Sequence, residues 1–285
     1  MVEVVCMRQF SNIINTLSKL SKTCVIRICE DRLYFIISEE HSIPYRISVW
    51  SMLHRNEFFN SYTMVGDSEK NEIFLEFSSD MLASSLSSVK TGNNVLSLKI
   101  KLTDKVSPCI TLELELASQS SHSQMCIHDV PVFIVAKKDW TDYQEPTITE
   151  YNISIQLPNT KIVKNIIDKL KKIANKVTIS ATTKGTFSLL AKTTSATIEI
   201  HFKDLIVKKL NNTGINLYML IICYFVASSP SAAVCIDIKK LSQFLTCDSI
   251  NPSVMICNLI TNHLLHLSLN HTGFALNYYL TAIEE

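Results

Sequence analysis

One supersecondary unit occurs twice in this chain, roughly 150 residues apart, and a duplicated unit leaves few folds open. Phe10, Ile13, Ile14, Leu17 and Leu20 recur at helical spacing; at about 100° per residue they share one face. An apolar run at 24–28 follows at once and reads as a strand. Glu30 and Asp31 turn the chain, and residues 33–37 return it. The same order begins again at Ile162. Ile162, Val163, Ile166, Ile167, Leu170, Ile173 and Ala174 mark a helix, 177–179 a strand, 182–185 a turn and 187–190 the returning strand. A second pair of helices keeps the offset. Residues 80–86, with Ser78 or Ser79 as N-cap, lead into strands at 95–102 and 109–116. Residues 237–245 lead into 254–260, 263–269 and 274–280.

The strands alternate. Ile110, Leu112, Leu114 and Leu116 face one way, with Thr111, Glu113 and Glu115 between them; Ile198, Ile200 and Phe202 alternate with Thr197, Glu199 and His201. This is the pattern of antiparallel sheets with one dry face. The predicted fold class is α+β: two similar domains, each with two helices packed on an antiparallel sheet. The predicted boundaries are 1–135 for the first domain, 136–150 for a polar connector holding Pro146, and 151–285 for the second. The N-terminal strand is predicted at 2–7. An atypical apolar insertion at about 207–233 carries a nearly unbroken apolar run, 215–227, expected outside the sheet-and-helix core. That run is shorter than the about 20 residues a membrane helix needs, so no membrane partner is expected.

Charge is unevenly placed. The formal net charge is +1, yet the windows 8–22, 80–90, 161–176 and 237–247 hold twelve Lys or Arg, three Asp and no Glu. Arg8, Lys19 and Lys22 lie opposite the first apolar stripe; Lys161, Lys164, Lys171 and Lys172 lie opposite the second, with Asp168 among them, and Lys239 and Lys240 sit on the fourth helix. Each helix therefore buries one face and offers a basic one. Spaced lysines without interleaved aromatic residues suit phosphate contact better than base reading, so the nine basic residues just named are the candidate DNA-facing set, with an ordinary solvated helix face as the alternative.

Other chemistries find little support. The five glycines are scattered, which excludes a glycine-rich phosphate cradle or a dinucleotide fingerprint. Nine cysteines without C-x-x-C spacing read as reduced, buried thiols of a cytosolic or nuclear protein, and the N-terminus does not read as a secretory peptide. His263 and His266 are predicted on opposite strand faces. His122, Cys126 and His128 flank a predicted polar loop without a second ligand pair, and Glu113 and Glu115 are explained by the wet face of their strand. No catalytic residue, metal or cofactor is expected.

The order of the segments 20–24, 71–76, 98–103, 128–132, Trp140, 144–146, 200–205, 237–245, 250–252 and 257–258 is similar to that of the sliding-clamp family, to which PCNA belongs. It most resembles the Hus-one branch, part of the nine-one-one DNA-damage checkpoint clamp. The resemblance implies a PCNA-like DNA-clamp fold and a non-enzymatic subunit of a heterotrimeric ring, with two paralogous partners of the Rad-nine and Rad-one types. It further implies that a clamp loader places the ring on DNA at damage, without sequence preference. The ring would support checkpoint kinase signalling and recruit repair enzymes in the nucleus, with a cytoplasmic pool compatible. Helices would line the hole. Subunits would join through sheet edges, mapped here onto 109–117 (Ile110, Leu112, Leu114, Leu116) and 196–203 (Thr197, Ile198, Glu199, Ile200). The residues taken alone leave open an uncharacterised α+β enzyme, or a clamp-like scaffold that does not close a ring.

Overall fold

The structure is a computed structural model that describes residues 2–4, 6–39, 47–66, 70–91, 95–117, 123–208, 231–250 and 254–284. The first half runs β1 (Val2–Val4), α1 (Met7–Leu20), β2 (Thr23–Ile28), β3 (Arg32–Ser38) and β4 (Ile47–His54). A single turn α2 (Arg55–Phe58) and β5 (Phe59–Tyr62) precede β6 (Ile73–Ser78), α3 (Ser79–Ser85), α4 (Ser87–Thr91), β7 (Val95–Asp104), β8 (Pro108–Leu116) and β9 (Gln124–Ile134). A 3-10 turn spans Lys137–Tyr143. The second half runs β10 (Ile153–Gln156), α5 (Thr160–Leu170), β11 (Lys176–Thr182), β12 (Phe187–Lys192), β13 (Thr197–Phe202), β14 (Ser231–Asp237) and α6 (Ile238–Phe244). A 3-10 segment (Leu245–Ile250) leads to β15 (Val254–Ile260), β16 (Leu264–His271) and β17 (Phe274–Thr281).

Strand pairing repeats with the sequence. In the first half β2 pairs with β3 and β6, β3 with β4, β8 with β7 and β9, and β1 with β7. In the second, β11 pairs with β12 and β14, β12 with β13, β16 with β15 and β17, and β10 with β15, all antiparallel. The halves join where β17 pairs with β4, from Phe274 opposite Leu53 to Tyr278 opposite Val49. The His54 amide extends this joint by donating to the Gly273 carbonyl at 2.8 Å.

Local chemistry sets the helices. The Ser78 hydroxyl accepts from the Met81 amide at 3.4 Å and caps α3; the Asp237 carboxylate accepts from the Lys239 amide at 2.7 Å and caps α6. On α1, Phe10, Ile13, Ile14 and Leu17 are fully buried, as their spacing requires. The α5 stripe is narrower than expected. Val163, Ile167 and Leu170 are buried, but Ile162 and Ile173 are 51% and 50% exposed. Ile162 stands one residue, about 100°, off that line, and the helix stops at Leu170. α1 touches α3, α4 and α6, and α5 touches α6, so helices of both halves lie side by side.

A second, smaller core lies on the other sheet face. There the connector lays Trp140, Tyr143 and Ile148 over Val25, Ile36, Trp50, Phe74 and Tyr279. Trp140 stacks on Phe74 with ring centroids 4.6 Å apart, and its indole N–H donates to the Val135 carbonyl at 3.0 Å. Beside it the Arg27 guanidinium meets the Glu72 carboxylate at 2.6 Å and lies over the Tyr34 and Phe74 rings.

Two predicted bounds are corrected. The N-terminal strand stops at Val4, and Met7 and Arg8 already belong to α1. The atypical stretch does not reach residue 233: Ser231, Ala232 and Ala233 pair with β11, where small side chains fit the ladder without a strong apolar signal. Val207 likewise bridges Ile155. The apolar run 215–227, with Cys223, lies outside the described residues.

Candidate nucleic-acid interface and open strand edges

Of the nine predicted DNA-facing residues, Arg8, Lys19, Lys22, Lys161, Lys172 and Lys239 are exposed on or beside the helices, and Lys164 is half-buried. Lys171 and Lys240 have carboxylate partners. The Lys171 ammonium sits 2.7 Å from the Asp168 carboxylate and donates to the Ser242 hydroxyl at 2.8 Å; Ser242 in turn donates to Asp168 at 3.0 Å. Lys171 holds the Asp168 carboxyl below the usual carboxylate range, helped by Ser242. This triad ties α5 to α6. Lys240 meets Glu39 of the first half at 2.5 Å. Both lysines are largely committed to the fold; the i,i+3 spacing signals the Asp168–Lys171 pair, while the Lys240–Glu39 pair is invisible to helix spacing.

The open edges follow from pairing. The predicted edge at 109–117 is corrected: β8 is interior, with β7 on one side and β9 on the other. Ile110, Leu112 and Leu114 are buried in the core and Leu116 is half-buried, so their alternation reports a covered strand. The open strand is β9. Among the described residues its 124–131 segment pairs with β8 alone, and 132–134 pair with β6. The polar loop expected beside His122, Cys126 and His128 is corrected from Gln124 onward, where β9 begins; His122 lies outside the described residues, and Met125, Ile127 and Phe133 are exposed (54%, 56% and 73%). Pro131 was the available signal, since proline within a strand marks an edge. The Val135 amide donates to Phe74 of β6, so by alternation the odd residues of β9 aim their amides to that side. Farther along the strand that side is open, and Met125, Ile127 and Asp129 face it. Pro131 has the same parity and costs the β8 ladder no donor.

In the second half, β13 is the outer strand of a four-stranded sheet. The Thr193 amide donates to the Ala196 carbonyl at 2.8 Å, closing the β12–β13 hairpin with a hydrogen-bonded pair. Alternation then turns the amides of Ile198, Ile200 and Phe202 toward β12, and those of Thr197, Glu199 and His201 toward the open side. The two open edges thus carry three outward residues each.

The weaker constellations resolve into structure. Cys126 and His128 share one face of β9, Sγ to Nε2 3.2 Å, and Cys24 and Cys257 are buried, which pushes their thiols up. Among the described residues no group of three or more His, Cys, Asp or Glu could hold a metal, and no helix is long and apolar enough to cross a membrane. His263 lies in the turn before β16. His266 is buried between the Tyr151 and Tyr279 rings and bonded to Tyr151, Asn258 and Asn277.

Burial lowers the His266 pKa to about 4, against a partial opposite pull from Asn277. Below its unfolded value of about 6.5 the unfolded chain therefore takes up a proton that the fold refuses, and stability falls with pH. From pH 7 to pH 5 this group should remove about 2 kcal/mol, read as a lower urea midpoint. His266→Gln should lose that pH-dependent component. An equal loss in both proteins would place the acid sensitivity elsewhere.

A duplicated array of antiparallel sheets backed by helices, joined through β4 and β17, is the architecture of a PCNA-like sliding clamp. PCNA of Entamoeba histolytica superposes with a TM-score of 0.72 at 12% identity, covering 99% of this chain and 98% of that one. The PCNA2–PCNA3 complex of Sulfolobus tokodaii gives a TM-score of 0.68 at 14% identity, covering 100% and 99%. The chain belongs to the Hus1 family: the family described as Hus1-like protein matches residues 2–284. It is 36% identical to human checkpoint protein HUS1, over 99% of this chain and 98% of that protein. It is thus a checkpoint clamp protein with a PCNA-like fold.

Proposed function

We propose that the chain is one subunit of a heterotrimeric ring, divided at residues 136–150 into two clamp domains, whose exposed helix lysines face DNA. Its partners are two paralogous subunits, of the Rad-nine and Rad-one types. A clamp loader places the ring on DNA at damage in the nucleus, where it performs no chemistry itself, supports checkpoint signalling and recruits repair enzymes.

One observation carries this reading. In the duplicated fold β17 matches β9 and β4 matches β13. β17 and β4 pair within the chain, whereas among the described residues no strand pairs with the outward side of β9 over 124–131 or of β13. Each chain therefore has a donor edge at one end and an acceptor edge at the other. Two different edges make a head-to-tail contact, and such contacts close into rings when the rotation allows. Unpaired edges otherwise invite wrong pairing, which favours an obligate partner.

Co-expression with both partner types, followed by size exclusion and native mass spectrometry, tests the reading. A 1:1:1 complex is expected. A chain that binds one partner and never closes a trimer would favour the scaffold alternative.

A further inference from the structure

A cavity of about 220 Å³ lies inside the first half, between the sheet face of β2, β3 and β6 and that of β7 and β8. Phe10 of α1 and Leu82 of α3 line it from the helices, and Ile26, Phe35, Ile100 and Ile110 from the strands. Its rim includes Val65, which is 87% exposed. Two polar side chains reach it, Thr63 and Lys101, and the Lys101 ammonium is engaged by Glu113 at 2.6 Å. A charged ligand would find one ammonium already neutralised by Glu113 and no other charge, and burying a charge uncompensated is costly. A neutral apolar ligand would regain dispersion contacts that the lining lacks. Size narrows the class further. An apolar cavity of about 150 Å³ stays dry and binds benzene, so this one accommodates a fused bicycle.

We propose that this cavity is a binding site for a neutral, planar, apolar molecule of indole size. The site is separate from the open edges and the lysine face, and occupancy ties the two sheet faces of the first half together.

Indole is the probe, with the full-length chain. At ten times its dissociation constant it should raise the thermal midpoint by about 3 °C. Benzoate, which has a ring but carries charge, should not. Leu82→Trp sets an indole ring into the space, and Ile110→Phe fills it from the sheet; either should abolish the rise. The unaltered protein gives a reading that needs no variant: methyl resonances of Ile26, Ile100 and Ile110 should shift on titration. Unmoved methyl resonances up to the solubility of indole would overturn the proposal. So would a midpoint rise that both filled variants retain, or one that benzoate reproduces.

Discussion

Proline at Glu199 of β13, or at Ile127 of β9, is expected to weaken ring assembly while leaving the chain folded. Both residues aim their amides at the open side, so neither substitution removes a bond from the existing ladders. Proline is tolerated on an edge strand for this reason, and Pro131 already occupies such a position on β9. Each variant deletes one inter-subunit donor, about 1 kcal/mol, and sets a ring where the neighbouring strand must lie. Assembly should weaken more than about tenfold, with the urea midpoint of the free chain nearly unchanged. Ile200→Pro is the informative contrast. Its amide points toward β12, so it should destabilise the second half itself. Trimer formation by Glu199→Pro at parental levels would contradict the edge assignment.

The second large effect concerns the lysines. Changing Lys161, Lys164, Lys172 and Lys239 to Ala should reduce DNA retention by the assembled ring and flatten its salt dependence. Long side chains touching phosphates, directly or through water, hold a duplex without reading it and so let a ring move. Each lost contact should lower the log–log salt slope by about 0.9. With four contacts, the parent should lose about a hundredfold more affinity than the variant between 50 and 200 mM salt. Sequence preference should be absent in both. Lys171 is left out because its ammonium is spent on Asp168 and Ser242. Lys171→Ala should loosen the α5–α6 contact and leave the salt slope close to the parent's. If the fourfold variant holds DNA like the parent across a salt titration, the helix face is not the contact.

Much of the fold was legible because helix stripes and strand alternation are local signals. The stripe of Phe10, Ile13, Ile14 and Leu17 is buried as its spacing implies, and the repeat at 162–190 announced the duplication. The edges were less legible, because an edge is a property of pairing. Ile110, Leu112 and Leu114 alternate as an edge strand would, yet β9 covers them on the far side. β9 itself was hidden because its apolar side chains Met125, Ile127 and Phe133 are exposed, which is not the pattern of a strand with one dry face. The lysine face was legible in sign but not in detail. The Asp168–Lys171 pair is an i,i+3 neighbour pair that spacing could have shown, whereas nothing in the spacing of Lys240 reports Glu39 of the other half.

Whether the two strand edges meet across a subunit boundary is tested most directly by amide hydrogen exchange with residue resolution. Exchange should be compared between the free chain and the assembled ring. The account predicts that Met125, Ile127 and Asp129 on β9, and Thr197, Glu199 and His201 on β13, slow sharply on assembly. Their even-numbered neighbours, already bonded within the chain, should change little. Unchanged exchange at all six amides in a purified trimer, with new protection elsewhere, would contradict the central claim.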